Sequence, residues 1–183
     1  FSTNVNLPQY FVSGKVNTKN NQISVEYILQ NTIKRQILAK KIEVPSTLWR
    51  YAAHKIADKI YNNLTGENPY FTSKILFVDE SGDALNIVKR IAIIDQDGAN
   101  LHYLTNGDQL VVTPKISHNQ KLLSYTGYVN DTPLTYLQEI KTGKRAIVGL
   151  FKNGTIAPNF SPTGLYLVCL LYTSPSPRDQ RGS

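Results

Sequence analysis

The residues of this chain that could do chemistry are few and far apart. The three histidines, His54, His102 and His118, have no second histidine at the third or fourth following position, a spacing that would place two imidazoles on one metal ion. The sequence also lacks a G-x-S-x-G nucleophile elbow and a phosphate-binding loop. We therefore predict no catalytic, cofactor-binding or metal-binding residues, and we interpret the three histidines as structural.

Two short polar motifs could be interpreted either as chemical sites or as structural elements. Asp95 and Asp97, followed by Gly98, are similar to the start of a calcium-binding loop, but the glutamate that such a loop needs downstream is missing. We interpret this motif as a hairpin turn in which glycine supplies a positive φ. Asn63-Leu64-Thr65 fits the N-glycosylation pattern, yet it ends a predicted helix and such triplets are common by chance.

The composition describes a globular chain with a modest positive charge. Of its 183 residues, 41% are hydrophobic and 18% are charged, and the formal net charge is +7. The lysines are scattered, so we interpret them as solvated charges and expect no nucleic-acid partner. No apolar stretch approaches the ~18 residues of a membrane-spanning helix, so we expect no direct membrane insertion.

Three strands and one helix can be predicted for the first third of the chain. Residues 10–44 alternate in a pattern that predicts a three-stranded meander, in which the apolar face of the second strand is buried. Ser46 or Thr47 can cap the helix that follows, and Gly66 ends it. Charged residues such as Asp58 lie off the apolar stripe of this helix. We expect four stripe residues in the core of the domain: Trp49, Ile56, Ile60 and Leu64.

The rest of the chain contains an internal repeat. The segment from Pro114 to Ser124 is matched by the segment from Pro158 to Val168 at an offset of 44 residues. Gly98 and Gly143, both in predicted turns, lie 45 residues apart. A repeat of this length with short strands is typical of β-propeller blades, and a ring needs at least about four blades. We therefore predict about two blades and a chain that is part of a larger protein.

Both ends of the sequence look unlike native termini. Phe1 to Asn6 has neither the basic nor the apolar region of a signal peptide, and there is no starting methionine. Residues 169–183 contain the only cysteine and two of the nine prolines, and they show no periodicity. They are similar to translated sequencing-adapter read-through. We predict a disordered artefact there, with a natural disordered tail as the alternative.

Four segments carry a resemblance to the TolB family. Leu48–Glu67 resembles the helix that ends the family's N-terminal domain, with its R-(Y/F)-A-H-x-x-(A/S)-D pattern running into K-L-T-G. Phe71–Val78 resembles F-x-T-(R/K)-I-A-Y-V, and Ile94–Asn100 resembles (A/S)-D-x-D-G-x-N. Thr155–Gly164 resembles N-G-x-P-A-F-S-P-D-G, except that Thr163 replaces the aspartate.

The first copy of the blade motif departs further from this pattern. Residues 117–120 have lost its proline, aspartate and glycine. We therefore expect the turns of both copies to be looser than the family's.

The resemblance implies an α/β N-terminal domain, partial here and covering residues 1–70 with its linker. It implies that residues 71–168 are the first two blades of a six-bladed all-β propeller. It further implies a non-enzymatic periplasmic scaffold of the Tol-Pal cell-envelope system, without cofactors, that acts in outer-membrane integrity, cell division and protein import. Its implied partners are the peptidoglycan-associated lipoprotein Pal, TolA and an outer-membrane lipoprotein.

No partner-contact residue can be assigned from the sequence. Tyr51 and His54 fit the junction between domain and propeller and plain surface positions equally well. An alternative function is the propeller of an α/β-hydrolase-type peptidase, whose serine domain would follow the blades. A propeller fold alone would not distinguish these two functions. The meander and the Trp49 helix, which come directly before the first predicted blade, favour the scaffold.

Overall fold

The computed structural model describes residues 9–33, 35–83 and 86–171. The chain divides between Ser73 and Lys74 into two compact units. The assignment of residues 1–70 to an N-terminal domain and of 71–168 to two blades stays a prediction.

The first unit begins with the predicted antiparallel meander. Its strands, in sheet order, are β1 (Tyr10–Lys19), β2 (Gln22–Asn31) and β3 (Gln36–Pro45). Asn20 and Asn21 alone form the first turn, with φ of 49° and 60°. Two successive residues with positive φ are typical of the type I′ turn, whose twist matches that of the flanking strands. Because the turn uses only these two residues, β1 and β2 are each 10 residues long.

The buried face of the sheet is the predicted face of β2. Tyr27 is 5% exposed and Leu29 is 0% exposed, whereas β1 is exposed along its whole length. The alternation in the sequence thus identified the buried face correctly. Burial is complete only towards the end of β2 that contains these two residues.

A 3-10 turn (Ser46–Leu48) leads into the helix α1 (Trp49–Thr65). The predicted C-terminal glycine is confirmed, since Gly66 has φ 74° and its N–H donates to the Asn62 carbonyl at 2.9 Å. The predicted side-chain cap by Ser46 or Thr47 is wrong, because no side chain caps the start of either helix. Ser46 instead bonds Asn21 in the first turn through both its hydroxyl and its N–H group.

The predicted helix core is only half correct. Ile56 and Ile60 are half-buried, but Trp49 is 55% exposed and Leu64 is 40% exposed. Among the described residues α1 packs chiefly against β3, so the two ends of its apolar stripe extend beyond the strand that covers the middle. The buried helix residues are Ala52 and, contrary to its predicted position off the stripe, Asp58.

The second unit consists of three antiparallel sheets, which agrees with the prediction of all-β blades. The four-stranded sheet has its strands in consecutive order, as in a propeller blade. The first sheet contains β4 (Lys74–Ser81), β5 (Val88–Asp95) and β6 (His102–Tyr103). The second contains β7 (Val111–Ile116), β8 (Leu122–Val129), β9 (Thr132–Glu139) and β10 (Arg145–Ile147), and the third contains β11 (Thr155–Phe160) and β12 (Leu167–Leu171).

The 44-residue repeat is present in the backbone as well as in the sequence. The pairing of β7 with β8 shifts between Val112 and Lys115, and that of β11 with β12 shifts at the equivalent residues, Ile156 and Asn159. Each irregularity contains a non-glycine residue with positive φ, Thr113 at 51° and Ala157 at 53° in the two copies. Such bulges bend a strand and increase its twist.

The two repeat turns differ in the lengths of their hydrogen bonds. In the first, the Ser117 hydroxyl donates to Asn119 Oδ1 at 2.8 Å, and Asn119 accepts from the Lys121 N–H at 3.0 Å. The loss of the family residues has therefore not removed the hydrogen bonds of that turn, because asparagine supplies the acceptor. In the second turn the equivalent distances, from Thr163 to Ser161 and from the Leu165 N–H to Thr163, are 3.1 and 3.4 Å.

The end of β12 corrects the predicted start of disorder. Residues 169–171 belong to this strand, and Leu170 and Leu171 pair with Ile156 and Thr155 of β11. The expectation of disorder from Cys169 is therefore wrong for these three residues. The remainder of the predicted tail, residues 172–183, lies outside the described residues, and its proposed origin as an artefact stays a prediction.

Candidate functional site

The histidines are distributed over separate elements. His54 lies on α1, His102 on β6 and His118 in the turn between β7 and β8. Across the described ranges, no group of three or more histidine, cysteine, aspartate or glutamate side chains is arranged to hold a metal ion.

Asp95 organises the turn that the sequence predicted. Its carbonyl accepts from the Gly98 N–H at 2.9 Å, and its carboxylate accepts from Asn100 Nδ2 at 2.6 Å and from the Lys74 ammonium. Burial alone would raise the pKa of this carboxyl, but the hydrogen bonds from Lys74 and Asn100 outweigh it and lower the pKa. The carboxylate thus links the turn, through Asn100, to the first strand of its sheet, through Lys74.

A buried carboxylate also fixes the segment that follows α1. Asp58 is 7% exposed, and it accepts from the Phe71 N–H at 2.8 Å and from Thr72 Oγ1 at 2.6 Å. We call these three residues the linker clamp. The clamp joins two of the motifs that carry the family resemblance, the helix motif and the segment beginning at Phe71.

Aromatic packing supports the linker clamp. Tyr61 meets the rings of Tyr70 and Phe71 edge-on, with centroids 5.5 and 5.9 Å away, and these two rings stack at 4.8 Å. The Tyr61 hydroxyl donates to Glu67 at 2.6 Å, which raises the pKa of Tyr61. The linker is therefore a folded strap on the helix and not a free tether.

The second unit contains a cleft between its first two sheets. This blade cleft encloses about 420 Å³. Its lining combines one aromatic ring with several hydrogen-bonding side chains: Tyr103, Leu104, Thr105, Asn106, Asp108, Gln138, Gly143 and Arg145.

The polar groups of the blade cleft hold one another in place. Arg145 pairs with Asp108 at 2.8 Å, and hydrogen bonding to Asp108, then to Tyr125, holds the pKa of Arg145 above its ordinary value. Gln138 Nε2 donates to the Leu104 carbonyl at 2.7 Å and thereby links the second sheet to the strand connection after the first. Burial raises the pKa of Tyr125, so this hydroxyl stays neutral.

A second arginine orders the edge of the cleft. The Arg90 guanidinium lies 4.1 Å from the centroid of the Tyr103 ring and 3.0 Å from Asp79. The Tyr103 hydroxyl donates to the same Asp79 oxygen at 3.1 Å. Preorganised arginine and tyrosine side chains are enriched at the energetic centres of protein–protein interfaces. None of the described lining residues of the cleft is a histidine, cysteine or lysine.

The signal for these residues in the sequence was weak. Asp58 lies off the predicted apolar stripe of α1, and no local pattern in the sequence indicates the partners of Arg90 and Arg145. Tyr51 is exposed and His54 is half-buried on α1. Their proposed place at a junction therefore stays a prediction. In the described part of the chain, no helix combines the length and apolar character needed to cross a membrane.

The fold and the site define a class of protein: a propeller protein in which a meander and one helix lead through a folded linker into antiparallel sheets. A family model, that of the TolB beta propeller domain, matches residues 61–177. The chain belongs to the TolB beta propeller family. This confirms both the resemblance noted in the sequence and the predicted fold class.

Similar proteins of known sequence and structure agree. The chain is 46% identical over 156 residues to the Tol-Pal system protein TolB of Rickettsia prowazekii (strain Madrid E), covering 84% of this chain and 35% of that protein. It is 45% identical over 148 residues to the Tol-Pal system protein TolB of Rickettsia bellii (strain OSU 85-389), covering 80% and 33% respectively. The chain thus spans about a third of the length of these relatives.

A solved structure resembles the chain over a comparable share of its length. The crystal structure of TolB from Acinetobacter baumannii superimposes with a TM-score of 0.75 at 28% identity, covering 85% of this chain and 39% of that chain.

Proposed function

We propose that the complete protein is a non-enzymatic, periplasmic scaffold of the Tol-Pal cell-envelope system. In this proposal it binds Pal through its propeller and TolA through its N-terminal segment, and it supports outer-membrane integrity and cell division. The observation that carries the proposal is the order of parts along the chain. A meander and the helix α1 run through the linker clamp into a blade, and two relatives named as Tol-Pal system proteins share this stretch at 46% and 45% identity.

We further propose that the blade cleft contributes to Pal binding. Sheets position loops and edge residues rigidly, which lowers the entropy lost when a partner binds. Arg145 and Tyr103 are held by Asp108 and Arg90 before any partner arrives. Side chains fixed in this way suit a surface that must recognise a protein without changing shape.

The proposal is tested by titrating the complete gene product with the soluble domain of Pal from the same organism in a calorimeter. We expect saturable binding, and we expect Arg145→Ala to weaken it by roughly tenfold or more, as at other arginine anchors. Lys141→Ala, a charge change in the nearby turn, is the matched control and should have little effect. The absence of any binding to Pal would contradict the scaffold function, whereas unchanged binding by Arg145→Ala would place the Pal site elsewhere on the propeller.

A further inference from the structure

A small groove in the first unit has a basic rim and an apolar floor. It lies between α1 and β3 and encloses about 230 Å³. Tyr27, Ile42 and Ile56 form the floor; Tyr27 is buried and the two isoleucines are half-buried. Four lysines complete the lining: Lys40, Lys41, Lys55 and Lys59. We call this feature the lysine groove.

Most of this charge has no counterion within the described chain. Lys41 pairs with Glu43 at 2.8 Å and lies 4.0 Å from Glu26. Among residues 9–33, 35–83 and 86–171, no carboxylate lies within ion-pair distance of the ammonium groups of Lys40, Lys55 or Lys59. The groove therefore presents three lysine charges without a carboxylate partner, of which Lys55 also lies 5.5 Å from the centroid of the Tyr51 ring.

The arrangement of these lysines is unfavourable for folding. Lys55 and Lys59 are four residues apart on α1, a spacing at which like charges repel across one turn of helix. Lys40 faces the same groove from β3, where it is the register partner of Tyr27. Residues 1–73 carry nine basic and four acidic side chains, so the surrounding surface does little to offset this repulsion.

We propose that the lysine groove binds an acidic segment of a partner polypeptide, with one apolar side chain of that segment seated on Tyr27, Ile42 and Ile56. The charges of the rim would attract and orient the acidic residues, and the floor would bury the apolar one. A membrane surface fits less well, because the apolar residues lie at the bottom of a concavity and cannot insert into a bilayer. This site lies in the first unit, and the inference is independent of Pal binding by the blade cleft.

The test uses the complete gene product and a fluorescein-labelled peptide in which one central leucine is flanked by glutamates. We expect a saturable rise in fluorescence anisotropy that disappears at about 1 M NaCl, where the Debye length is about 3 Å. A peptide with lysines in place of the glutamates, and one with serine in place of the leucine, should bind more weakly. In the presence of the acidic peptide, Lys55 and Lys59 should also acylate more slowly, as measured by mass spectrometry.

Charge reversal provides the decisive comparison. The double variant Lys55→Glu with Lys59→Glu should weaken binding by about tenfold or more, because attraction becomes repulsion. Lys15→Glu with Lys19→Glu makes the same charge change on β1, away from the groove, and should retain binding. Circular dichroism verifies that both variants are folded. Equal binding by the two double variants, no peptide binding, or binding only to phosphatidylglycerol vesicles would overturn the proposal.

Discussion

Asp58 and Asp95 are buried carboxylates that accept hydrogen bonds within their own units, and each holds a connection in place. Asp58 joins α1 to the linker through Phe71 and Thr72. Asp95 joins the turn after β5 to the start of β4 through Lys74. Buried charges of this kind are tolerated because every oxygen involved has a hydrogen-bond partner.

Substitution of Asp58 should loosen the linker selectively. Asp58→Ala leaves the Phe71 N–H without its acceptor, and a buried donor left unpaired costs about 1–3 kcal/mol. We therefore expect the amide of Phe71 to exchange with solvent roughly 10- to 100-fold faster, as followed by hydrogen-exchange mass spectrometry of the complete gene product. Asp58→Asn keeps one carbonyl acceptor and should show a smaller effect. Unchanged exchange in Asp58→Ala would show that the linker clamp does not hold the strap.

Asp95 should make the stability of the first blade sensitive to acid. Its pKa in the folded state lies below the ordinary aspartate value of about 4, so its contribution is fully present above about pH 4. The contribution is lost as the pH falls through the lower folded-state pKa. Thermal midpoints measured against pH should therefore fall on acidification below about pH 4. The fall should be shallower in Asp95→Asn, and identical slopes in the two proteins would contradict this assignment.

At the scale of elements, the two repeat turns show how one backbone tolerates different sequences. Ser117 and Ser161 occupy equivalent positions, and each hydroxyl accepts from a backbone N–H five residues later, at 2.9 and 3.2 Å. The residue two positions after each serine supplies the other acceptor. In the first turn Asn119 forms these hydrogen bonds at 2.8 and 3.0 Å, whereas in the second turn those of Thr163 are longer, at 3.1 and 3.4 Å.

Thr163→Asp should therefore tighten the second turn. A carboxylate can accept from both the Ser161 hydroxyl and the Leu165 N–H, and one improved hydrogen bond stabilises a fold by about 1 kcal/mol. We expect a higher free energy of unfolding for the complete gene product in urea. Thr163→Val removes the acceptor and should lower that free energy by a similar amount. A destabilised Thr163→Asp variant would indicate that the threonine is preferred there.

The sequence predicted an element best where a hydrophobic periodicity was present or where a glycine marked the end of the element. The alternation in β2 and Gly66 at the end of α1 identified both elements, because each pattern has a local physical cause. The strands β7 and β11 were not predicted, since their bulges at Thr113 and Ala157 interrupt the period of two. The Asn130–Asp131 turn was also not predicted. Both residues have positive φ, a conformation that asparagine and aspartate tolerate but that glycine indicates more clearly in a sequence.

Residue roles that depend on distant partners could not be predicted. Asp58 has a charged side chain off the apolar stripe of α1, and only the return of the linker to the helix explains its burial. Trp49 shows the opposite error, since its place on the stripe predicted burial that the described residues do not provide. Arg145 and Asp108 are 37 residues apart in the sequence, so no local pattern indicates their pairing.

At the scale of the whole molecule, the described sheets leave apolar surface and strand edges uncovered. The third sheet has only β11 and β12, and Leu165, Tyr166 and Val168 on or beside β12 are exposed. Because edges and apolar faces of this kind pair with other chains, residues 1–171 alone should be poorly stable. We expect broad, non-cooperative thermal unfolding or self-association of that segment by calorimetry and light scattering. A sharp cooperative transition of a monomer would contradict this expectation.

The central proposal is that this chain is part of a partner-binding propeller protein and not part of a propeller that gates an enzyme. Long-read sequencing of the gene beyond the codon for Leu171, the last residue of β12, tests it most directly. The account predicts further repeats at the 44-residue spacing seen between Pro114 and Pro158, followed by a stop codon. A domain with a G-x-S-x-G nucleophile elbow after the last repeat would contradict it and would identify the propeller of a peptidase.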